Sequence, residues 1–200
     1  MIKNLIFDFG KVLVDYDFLH IINTFFTDKE EEAEFVRLFT DDDFIDRCDK
    51  EDVPFLDTIK DMQQRYPKFK VQAQAFHDSY VDFVTGEVPG MQEVLKTLKA
   101  EGFKLYGLSN WCSVVHEVMR RYPIFTLLDG RLISSEEHLL KPAPAIYHRF
   151  CQKFLVKPEE CLFTDDKSKN IVGARSIGMH AILFQNATQY MQELRLMIKQ

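Results

Sequence analysis

The sequence predicts an α/β fold, a doubly wound parallel sheet with an inserted all-helical segment. Short apolar runs of strand length alternate with amphipathic helical patterns through the second half of the chain, and a run of the same kind, residues 5–7, opens it. Continuous apolar runs of that length are typical of strands buried on both faces of a parallel sheet. Between the opening run and residue 85 the pattern is helical, so we expect this segment to lie outside the sheet.

The first strand ends before Gly10, a residue that permits a sharp turn at the edge of the sheet. After Asp15 the period becomes helical, with apolar residues at offsets of 0, 3, 4, 7 and 8 from Phe18. These offsets place a single apolar stripe on a helix. Three more stripes of this kind follow, beginning at Phe35, Phe55 and Phe76. The insert is therefore predicted to contain four helices.

The chain is predicted to return to the sheet through a hinge at residues 86–90, Gly-Glu-Val-Pro-Gly. A helix is predicted to begin at Met91 and to end at Gly102. The alternation that follows predicts strands at 103–108, 131–134, 161–164 and 180–184, and helices at 113–121, 142–154, 168–177 and 187–199. Such a succession implies right-handed parallel crossovers. We therefore predict a sheet domain of residues 1–16 and 86–200 and a helical insert of residues 17–85.

Composition limits the function. Two hundred residues, 46% of them apolar and 18 of them Phe, suffice for one domain of ordinary size with a small insert. The net charge of -6 argues against a general binder of nucleic acid or of membrane surfaces, since both need a basic face. A small soluble ligand fits this chain better, and we expect a monomer or a weak dimer.

The cysteines and the first residues indicate a compartment. Cys48, Cys112, Cys151 and Cys161 show no closely paired spacing, and the chain enters a strand within a few residues of Met1, which leaves no room for a signal peptide. No apolar run approaches the length of a membrane span. We therefore expect reduced thiols and a cytoplasmic protein.

Polar residues end three of the predicted strands and precede one helix. They are Asp8, Ser109-Asn110, Lys141-Pro142 and Asp165-Asp166. Open α/β sheets bind ligands at the carboxyl ends of their strands, where a lone acid is a candidate nucleophile or metal ligand. Each motif alone has a plainer explanation: a turn or helix cap for the acids and the Ser-Asn pair, and an exposed loop for the lysine. Four of them in order make the functional interpretation the stronger one.

An acid, a hydroxyl, a lysine and an acid pair in this order resemble the haloacid dehalogenase-like hydrolase superfamily, subfamily I, over residues 1 to about 185 without the middle segment. The resemblance implies a Rossmann-like core and an insert that acts as a cap closing over the site. It implies catalytic roles for Asp8, Ser109 and Lys141 and phosphoryl binding by Ser109, Asn110 and Lys141. It also implies Mg²⁺ held by Asp8, the Gly10 carbonyl, Asp166 and Asp165, the last directly or through water.

One departure from the family pattern concerns proton transfer. Most phosphatases of this family carry a second Asp two residues after the nucleophile, where this chain has Gly10, and the usual Gly and Thr that follow are Lys11 and Val12. Loss of a general acid typically costs about 10²- to 10⁴-fold in rate when the leaving group needs a proton. Asp15 is a candidate substitute, although its position is more typical of a cap for a helix over residues 16–26.

The favoured interpretation is a magnesium-dependent phosphatase that forms an aspartyl-phosphate on a small phosphorylated metabolite with a good leaving group. Sugar 1-phosphates and acyl phosphates are such substrates, and the chain is most similar to sugar-1-phosphate-type phosphatases that lack the second Asp. Side chains of the insert would set specificity, and the candidates are Phe18, Phe44, Arg47 and Lys50, with Trp111 from the core.

Two alternatives remain open. A 2-haloacid dehalogenase would use Asp8 without metal, because halide leaves without a proton, and would need a cap arginine such as Arg37 or Arg47 to hold the halide. The retained Asp165-Asp166 pair favours metal instead. A catalytically weak binding or regulatory protein is the third possibility, which survival of all four motifs makes the least favoured.

Overall fold

The computed structural model describes residues 1–198, and for Asp42 the backbone alone. Its main sheet has five parallel strands in the order β5-β4-β1-β6-β7. The strands are β1 (Asn4–Phe7), β4 (Lys104–Ser109), β5 (Gly130–Ile133), β6 (Cys161–Asp165) and β7 (His180–Leu183). From central β1 the chain fills one side of the sheet and then the other, which confirms the predicted doubly wound α/β fold.

Among the described residues, five α-helices lie in the insert, one more than the four predicted, and six accompany the sheet. The inserted helices are α1 (Phe18–Ile22), α2 (Lys29–Phe39), α3 (Asp42–Lys50), α4 (Phe55–Arg65) and α5 (Lys70–Asp78). The others are α6 (Met91–Ala100), α7 (Val115–Arg121), α8 (Ser134–Glu137), α9 (Pro144–Phe154), α10 (Ser168–Ser176) and α11 (Ala187–Ile198). Lys199, the predicted end of the last helix, lies outside the described residues. No helix among residues 1–198 is both long and apolar enough to cross a membrane.

A two-stranded antiparallel sheet joins the insert to the core. Strand β2 (Val14–Tyr16) pairs with β3 (Val84–Glu87), and the register shifts between Asp15 and Tyr16. The sequence predicted only a hinge at 86–90 and no strand before it. Strand β3 escaped prediction because it is short, contains Gly86 and shows no alternation of apolar and polar residues. The pair stands where the predicted boundaries of the insert fall.

Burial of β1 explains its continuous apolar pattern. Leu5 and Phe7 belong to the larger hydrophobic cluster, whereas Ile6 between them belongs to a second cluster that also contains Tyr147 and Phe163. Successive side chains of a strand point to opposite faces, so each face of the sheet has its own core. The carboxyl end of β1 is thereby fixed between two packed layers.

Phenylalanine rings form the core of the insert. Phe76 lies 5.1 Å from Phe83 and 5.8 Å from Phe39 between ring centroids, and Phe39 stacks on Phe35 at 4.0 Å. These residues belong to the same hydrophobic cluster as Leu5 on the sheet. The insert therefore packs continuously onto the core instead of standing apart from it.

The predicted helix starts at Asp15 and at Lys141-Pro142 differ from the structure. Asp17, not Asp15, caps α1 by accepting hydrogen bonds from the backbone N–H groups of the first turn, and regular α-helix ends at Ile22. Likewise Lys141-Pro142 does not open a helix, because α9 begins at Pro144. In both cases a later residue suits the cap or first-turn position equally well, and sequence spacing alone does not separate the two.

Candidate active site

Asp8 stands at the carboxyl end of β1 and is 7% exposed. Its Oδ1 accepts a hydrogen bond from the backbone N–H of Phe9 at 2.7 Å and lies 2.9 Å from Nζ of Lys141. Lys141 comes from the loop before α9 and is itself 3% exposed. The buried ammonium group therefore pairs with the predicted nucleophile, as the motif order suggested.

Lys141 also binds the acid pair that follows β6. Its Nζ donates to Oδ2 of Asp165 at 2.6 Å, and Asp165 is fully buried. The backbone N–H of Lys167 donates to Oδ1 of Asp165, and the side-chain amide of Asn170 donates to both carboxylate oxygens. Asp165 is therefore fully engaged in orienting Lys141 and the turn into α10.

Asn110 connects the Ser109 strand end to the Lys141 loop. Its Nδ2 donates to the Lys141 carbonyl at 3.0 Å, and its Oδ1 accepts from the Lys141 backbone N–H at 2.8 Å. Two bonds between the same pair of residues fix the loop against β4. Asn110 thus acts on the position of Lys141, a role that sequence reasoning had not assigned to it.

Three carboxylates converge at this edge of the sheet. Oxygen atoms of Asp8, Asp165 and Asp166 lie within 4.8 Å of one another. Lys141 balances one of the three charges, so the cluster keeps a net charge of about -2 when every carboxylate is ionised. Carboxylate oxygens are the ligands that Mg²⁺ prefers, and a divalent cation would neutralise this charge. The donor set therefore fits Mg²⁺.

Burial and charge set the protonation of these groups. Burial raises the pKa of Asp8 to about 7, the Lys141 charge opposes the shift, and the Asp165 charge adds to it. Burial alone would lower the pKa of Lys141, but Asp165 and Asp8 outweigh it and raise that pKa, so the amine stays charged. Burial would raise the pKa of Asp165, yet Lys141 and the hydrogen bonds hold it below its usual value.

These groups open onto a cavity between the sheet edge and the insert, which encloses about 80 Å³, enough for several water molecules. The core contributes Asp8, Gly10, Ser109, Asn110, Trp111, Lys141, Asp166, Lys167, Lys169 and Asn170. The hairpin and the insert contribute Tyr16, Phe18, Ile45, Asp46, Asp49, Tyr80, Phe83 and Val84. Every predicted catalytic, phosphoryl-binding and metal-binding residue lines this cavity except Asp165, which accepts a hydrogen bond from Lys141.

The aromatic ring of Tyr16 occupies the space beside Gly10. A Cβ atom built on Gly10 would lie 2.9 Å from Cε1 of Tyr16, closer than such contacts occur. Tyr16 itself packs edge-on against Trp111, with ring centroids 6.4 Å apart. An uncharged phenol therefore occupies the space where the side chain of a general acid at residue 10 would lie. Burial, together with the charges of Asp166 and Asp8, raises the pKa of Tyr16 and keeps it protonated.

Asp15 does not reach the cavity. Its carboxylate pairs with Lys11, and its side chain is 50% exposed. The idea that Asp15 supplies the missing proton donor is therefore wrong, as is its assignment as a helix cap. Asp15 belongs to β2, where it pairs with Gly86 of β3.

The structure also tests the candidate specificity residues. Phe18 and Trp111 line the cavity, whereas Phe44 is buried in the core of the insert. Arg47 forms an ion pair with Asp61, and Lys50 forms one with Asp52. No arginine is among the described residues that line the cavity. Arg37, the other candidate for binding halide, is exposed and does not line it. A halide-binding arginine is thus missing from the site.

Sequence reasoning missed the contribution of α3. Ile45, Asp46 and Asp49 line the cavity, although the sequence pattern predicted no helix over these residues. One signal was available, because Asp49 lies four residues after Ile45 and therefore beside it on one side of the helix, next to the apolar residues Phe44 and Cys48. An acid on that side of a helix requires a polar partner or a ligand.

Comparisons with known proteins agree with this geometry. A family model described as haloacid dehalogenase-like hydrolase matches residues 2–178. Flavin mononucleotide hydrolase 1 of Arabidopsis thaliana is 30% identical over 108 residues, 52% of this chain and 43% of that protein. Glyceraldehyde 3-phosphate phosphatase of Pyrococcus furiosus is 29% identical over 113 residues, 56% of this chain and 47% of that protein. The chain spans about half the length of these relatives.

Solved structures extend the likeness to the whole chain. A HAD-like family hydrolase from Porphyromonas gingivalis has a TM-score of 0.82 and 21% identity, covering 100% of this chain and 99% of that one. A HAD family enzyme from Bacteroides thetaiotaomicron in complex with magnesium and inorganic phosphate has a TM-score of 0.73 and 21% identity, covering 94% and 96%. At this identity the likeness shows the fold. The matched family model, the order of the motifs and their convergence on one cavity lead to one conclusion: the chain belongs to the haloacid dehalogenase-like hydrolase family.

Proposed function

We propose that the protein is a magnesium-dependent phosphatase that acts on a small phosphorylated metabolite through an aspartyl-phosphate on Asp8. The observation that carries the proposal is the buried Lys141, which lies within 2.9 Å of both Asp8 and Asp165 beside a third carboxylate, Asp166. A nucleophilic carboxylate needs a cationic environment to approach a phosphoryl group. Two of the named relatives, a flavin mononucleotide hydrolase and a glyceraldehyde 3-phosphate phosphatase, support a phosphorylated substrate.

Each residue of the site has its own role in the proposed reaction. An Asp8 oxygen forms a bond to phosphorus while the bond from phosphorus to the ester oxygen breaks, and water later releases inorganic phosphate and frees Asp8. Ser109, Asn110 and Lys141 hold the phosphoryl oxygens, Lys141 as a point charge. Asp8, Asp166 and the Gly10 carbonyl would hold Mg²⁺, which supplies charge neutralisation at the phosphoryl group. Asp165 orients Lys141, and because both its oxygens already accept hydrogen bonds it would assist in holding Mg²⁺ only through water.

The core domain presents no carboxylic acid at the position of the missing general acid, since residue 10 is glycine, and the raised pKa of Tyr16 makes the nearby phenol a poor proton donor. Acting alone, such a core would favour leaving groups that are stable as anions, as in acyl phosphates and sugar 1-phosphates. Aromatic residues of the hairpin and insert, Tyr16, Phe18 and Tyr80, would enclose the rest of the substrate.

The test is an activity screen with acetyl phosphate, sugar 1-phosphates, alkyl phosphates and 2-chloropropionate, each with and without Mg²⁺. We expect metal-dependent release of phosphate, and its loss in Asp8→Asn. Asp43→Asn is the matched control, because Asp43 is an exposed carboxylate of α3 outside the cavity. Metal-independent chloride release would establish a dehalogenase instead, and retention of phosphatase activity in Asp8→Asn would refute the covalent route.

A further inference from the structure

Asp49 brings a carboxyl group to the cavity from the insert. It lies in the last turn of α3, is 7% exposed, and lines the same cavity as Asp8 and Lys141. Nothing in the order of the four core motifs requires an acid here. Its burial against a site built for an anion calls for an explanation, because an unneeded buried carboxylate is costly.

Hydrogen bonds to the core fix the backbone of Asp49. The hydroxyl of Ser134, the first residue of α8, donates to the Asp49 carbonyl at 2.5 Å. The same hydroxyl accepts a hydrogen bond from the backbone N–H of Trp111 at 2.9 Å, and Trp111 lies two residues after Ser109. One buried hydroxyl thus joins the end of α3 to the segment that carries the predicted phosphoryl-binding residues.

A second connection follows within two residues. The carboxylate of Glu51 accepts hydrogen bonds from the Ser113 backbone N–H at 2.6 Å and from the Ser113 hydroxyl at 2.8 Å. His138 contacts the Lys50 carbonyl at 3.2 Å. Three consecutive residues of the insert, 49 to 51, are therefore held against the core, and Asp49 is the one of them that lines the cavity.

The surroundings of Asp49 favour its protonated form. Burial raises its pKa to about 7, Lys167 and Lys141 from the core oppose the shift, and Asp46 on the same helix and Asp8 opposite add to it. Other titratable groups that interact with Asp49 are Tyr16, Cys48, Tyr80 and Cys112, whose own pKa values are raised by burial, and Asp166 and Lys169 line the same cavity. A carboxyl group in this setting both gives and takes a proton near neutral pH.

We propose that Asp49 is the general acid and base of the reaction, in place of the carboxyl group that residue 10 lacks. The Asp49 carboxylic acid gives its proton to the ester oxygen as that oxygen leaves phosphorus. The resulting carboxylate then takes a proton from the water that attacks the phosphorus of the Asp8 phosphate, which releases inorganic phosphate and restores both side chains. The inference rests on the proposed phosphatase activity, and it widens the substrate class from activated phosphates to ordinary alkyl phosphate monoesters.

Leaving-group dependence tests the proposal. The substrates are acetyl phosphate, whose leaving group needs no proton, and the alkyl phosphate that the wild-type protein cleaves best, with glycerol 3-phosphate as the first choice. Asp49→Asn is expected to lower kcat/KM for the alkyl ester about 10²- to 10⁴-fold and to change it less than about 10-fold for acetyl phosphate. Asp43→Asn, the same substitution at an exposed position of α3, is expected to alter neither value.

The pH profile of the wild-type protein gives an independent measurement that needs no variant. A general acid must be protonated to act, so kcat/KM for the alkyl ester should fall as the pH rises through the Asp49 pKa. Asp8 and the metal act on both substrates, whereas only the alkyl ester needs the proton. The ratio of the two kcat/KM values should therefore fall above about pH 7, and Asp49→Asn should remove that change.

A positioning variant covers the case in which Asp49→Asn does not fold. Ser134→Ala removes the bond to the Asp49 carbonyl and also the acceptor of the Trp111 N–H, so it should lower kcat/KM for both substrates, but more for the alkyl ester than for acetyl phosphate. Equal losses on both substrates, a ratio independent of pH, or a wild-type protein that cleaves acetyl phosphate but no alkyl ester would overturn the role of Asp49. A wild-type protein that cleaves neither would instead refute the phosphatase function itself.

Discussion

Replacement of Lys141 by methionine should show how far the buried carboxylates of the site destabilise the folded protein when their cation is removed. Lys141 is 3% exposed, and its Nζ is the cation that lies 2.9 Å from Asp8 and 2.6 Å from Asp165. Removing one partner of a buried ion pair typically costs about 3–5 kcal/mol, because the other charge is left uncompensated. Here two carboxylates are left, so we expect the free energy of unfolding to fall by at least about 3 kcal/mol at pH 8 without Mg²⁺.

The loss should depend on pH with a definite sign. Without Lys141, the folded-state pKa values of both carboxyl groups rise above those of the unfolded chain. A raised carboxyl pKa destabilises the folded protein increasingly as the pH rises from the unfolded value of about 4 toward the folded value, by about 1.4 kcal/mol per pH unit for each group. Lys141→Met should therefore be closest to the wild type near pH 4 to 5 and furthest from it at pH 8.

Urea unfolding followed by fluorescence provides the assay, because the only tryptophan, Trp111, is 8% exposed and lines the cavity. Lys29→Met is a matched control, since Lys29 forms an exposed ion pair with Glu32 of the kind that contributes little to stability. A loss below about 1 kcal/mol at pH 8, or an equal loss at pH 5 and pH 8, would contradict the electrostatic account of the site.

Three further predictions concern metal, the turn and the insert. Mg²⁺ should raise the wild-type Tm, with about 2.7 kcal/mol of added stability at 100 times Kd, and Asp166→Asn should remove most of this effect. Gly10→Ala should destabilise the protein by about 1–3 kcal/mol because its Cβ meets the Tyr16 ring, and Tyr16→Leu in the same chain should recover part of the loss, as urea unfolding would measure. Phe76→Ala should cost about 3–5 kcal/mol in urea unfolding, since Phe76 is fully buried among aromatic rings.

Specific results would contradict each of these. If Mg²⁺ raised the Tm of Asp166→Asn as much as that of the wild type, the acidic cluster would not be the metal site. Gly10→Ala with wild-type stability would mean that the hairpin moves freely away from Asp8. A small loss in Phe76→Ala would indicate that the insert collapses around the missing ring, which its dense aromatic packing argues against.

Most site residues that could be predicted are marked by local patterns in the sequence. Asp8, Ser109 and the acid pair each end an apolar run, so the sequence alone indicates that they meet at one edge of a parallel sheet. Lys141 could be predicted because its place in the order of motifs resembles a known family. The structure places Asp8, Ser109, Lys141 and Asp166 around one cavity, with Asp165 hydrogen-bonded to Lys141.

The unpredicted features depend on contacts between segments distant in sequence. Asp49 meets Ser134 across 85 residues, and Glu51 meets Ser113 across 62, so no local pattern marks either pair. Strand β3 forms because β2 is present to pair with it, and its own residues have little strand preference. Likewise, Tyr16 fills the space beside Gly10 only in the folded hairpin, so no local sequence pattern marks this contact.

The contact between Gly10 and Tyr16 has a consequence for protein engineering. An acid introduced at residue 10 would meet the Tyr16 ring, so the ring would have to move or be replaced by a smaller side chain. Asp49 lines the same cavity from α3. A designer who wishes to alter proton transfer at this site would therefore change the helix before the turn.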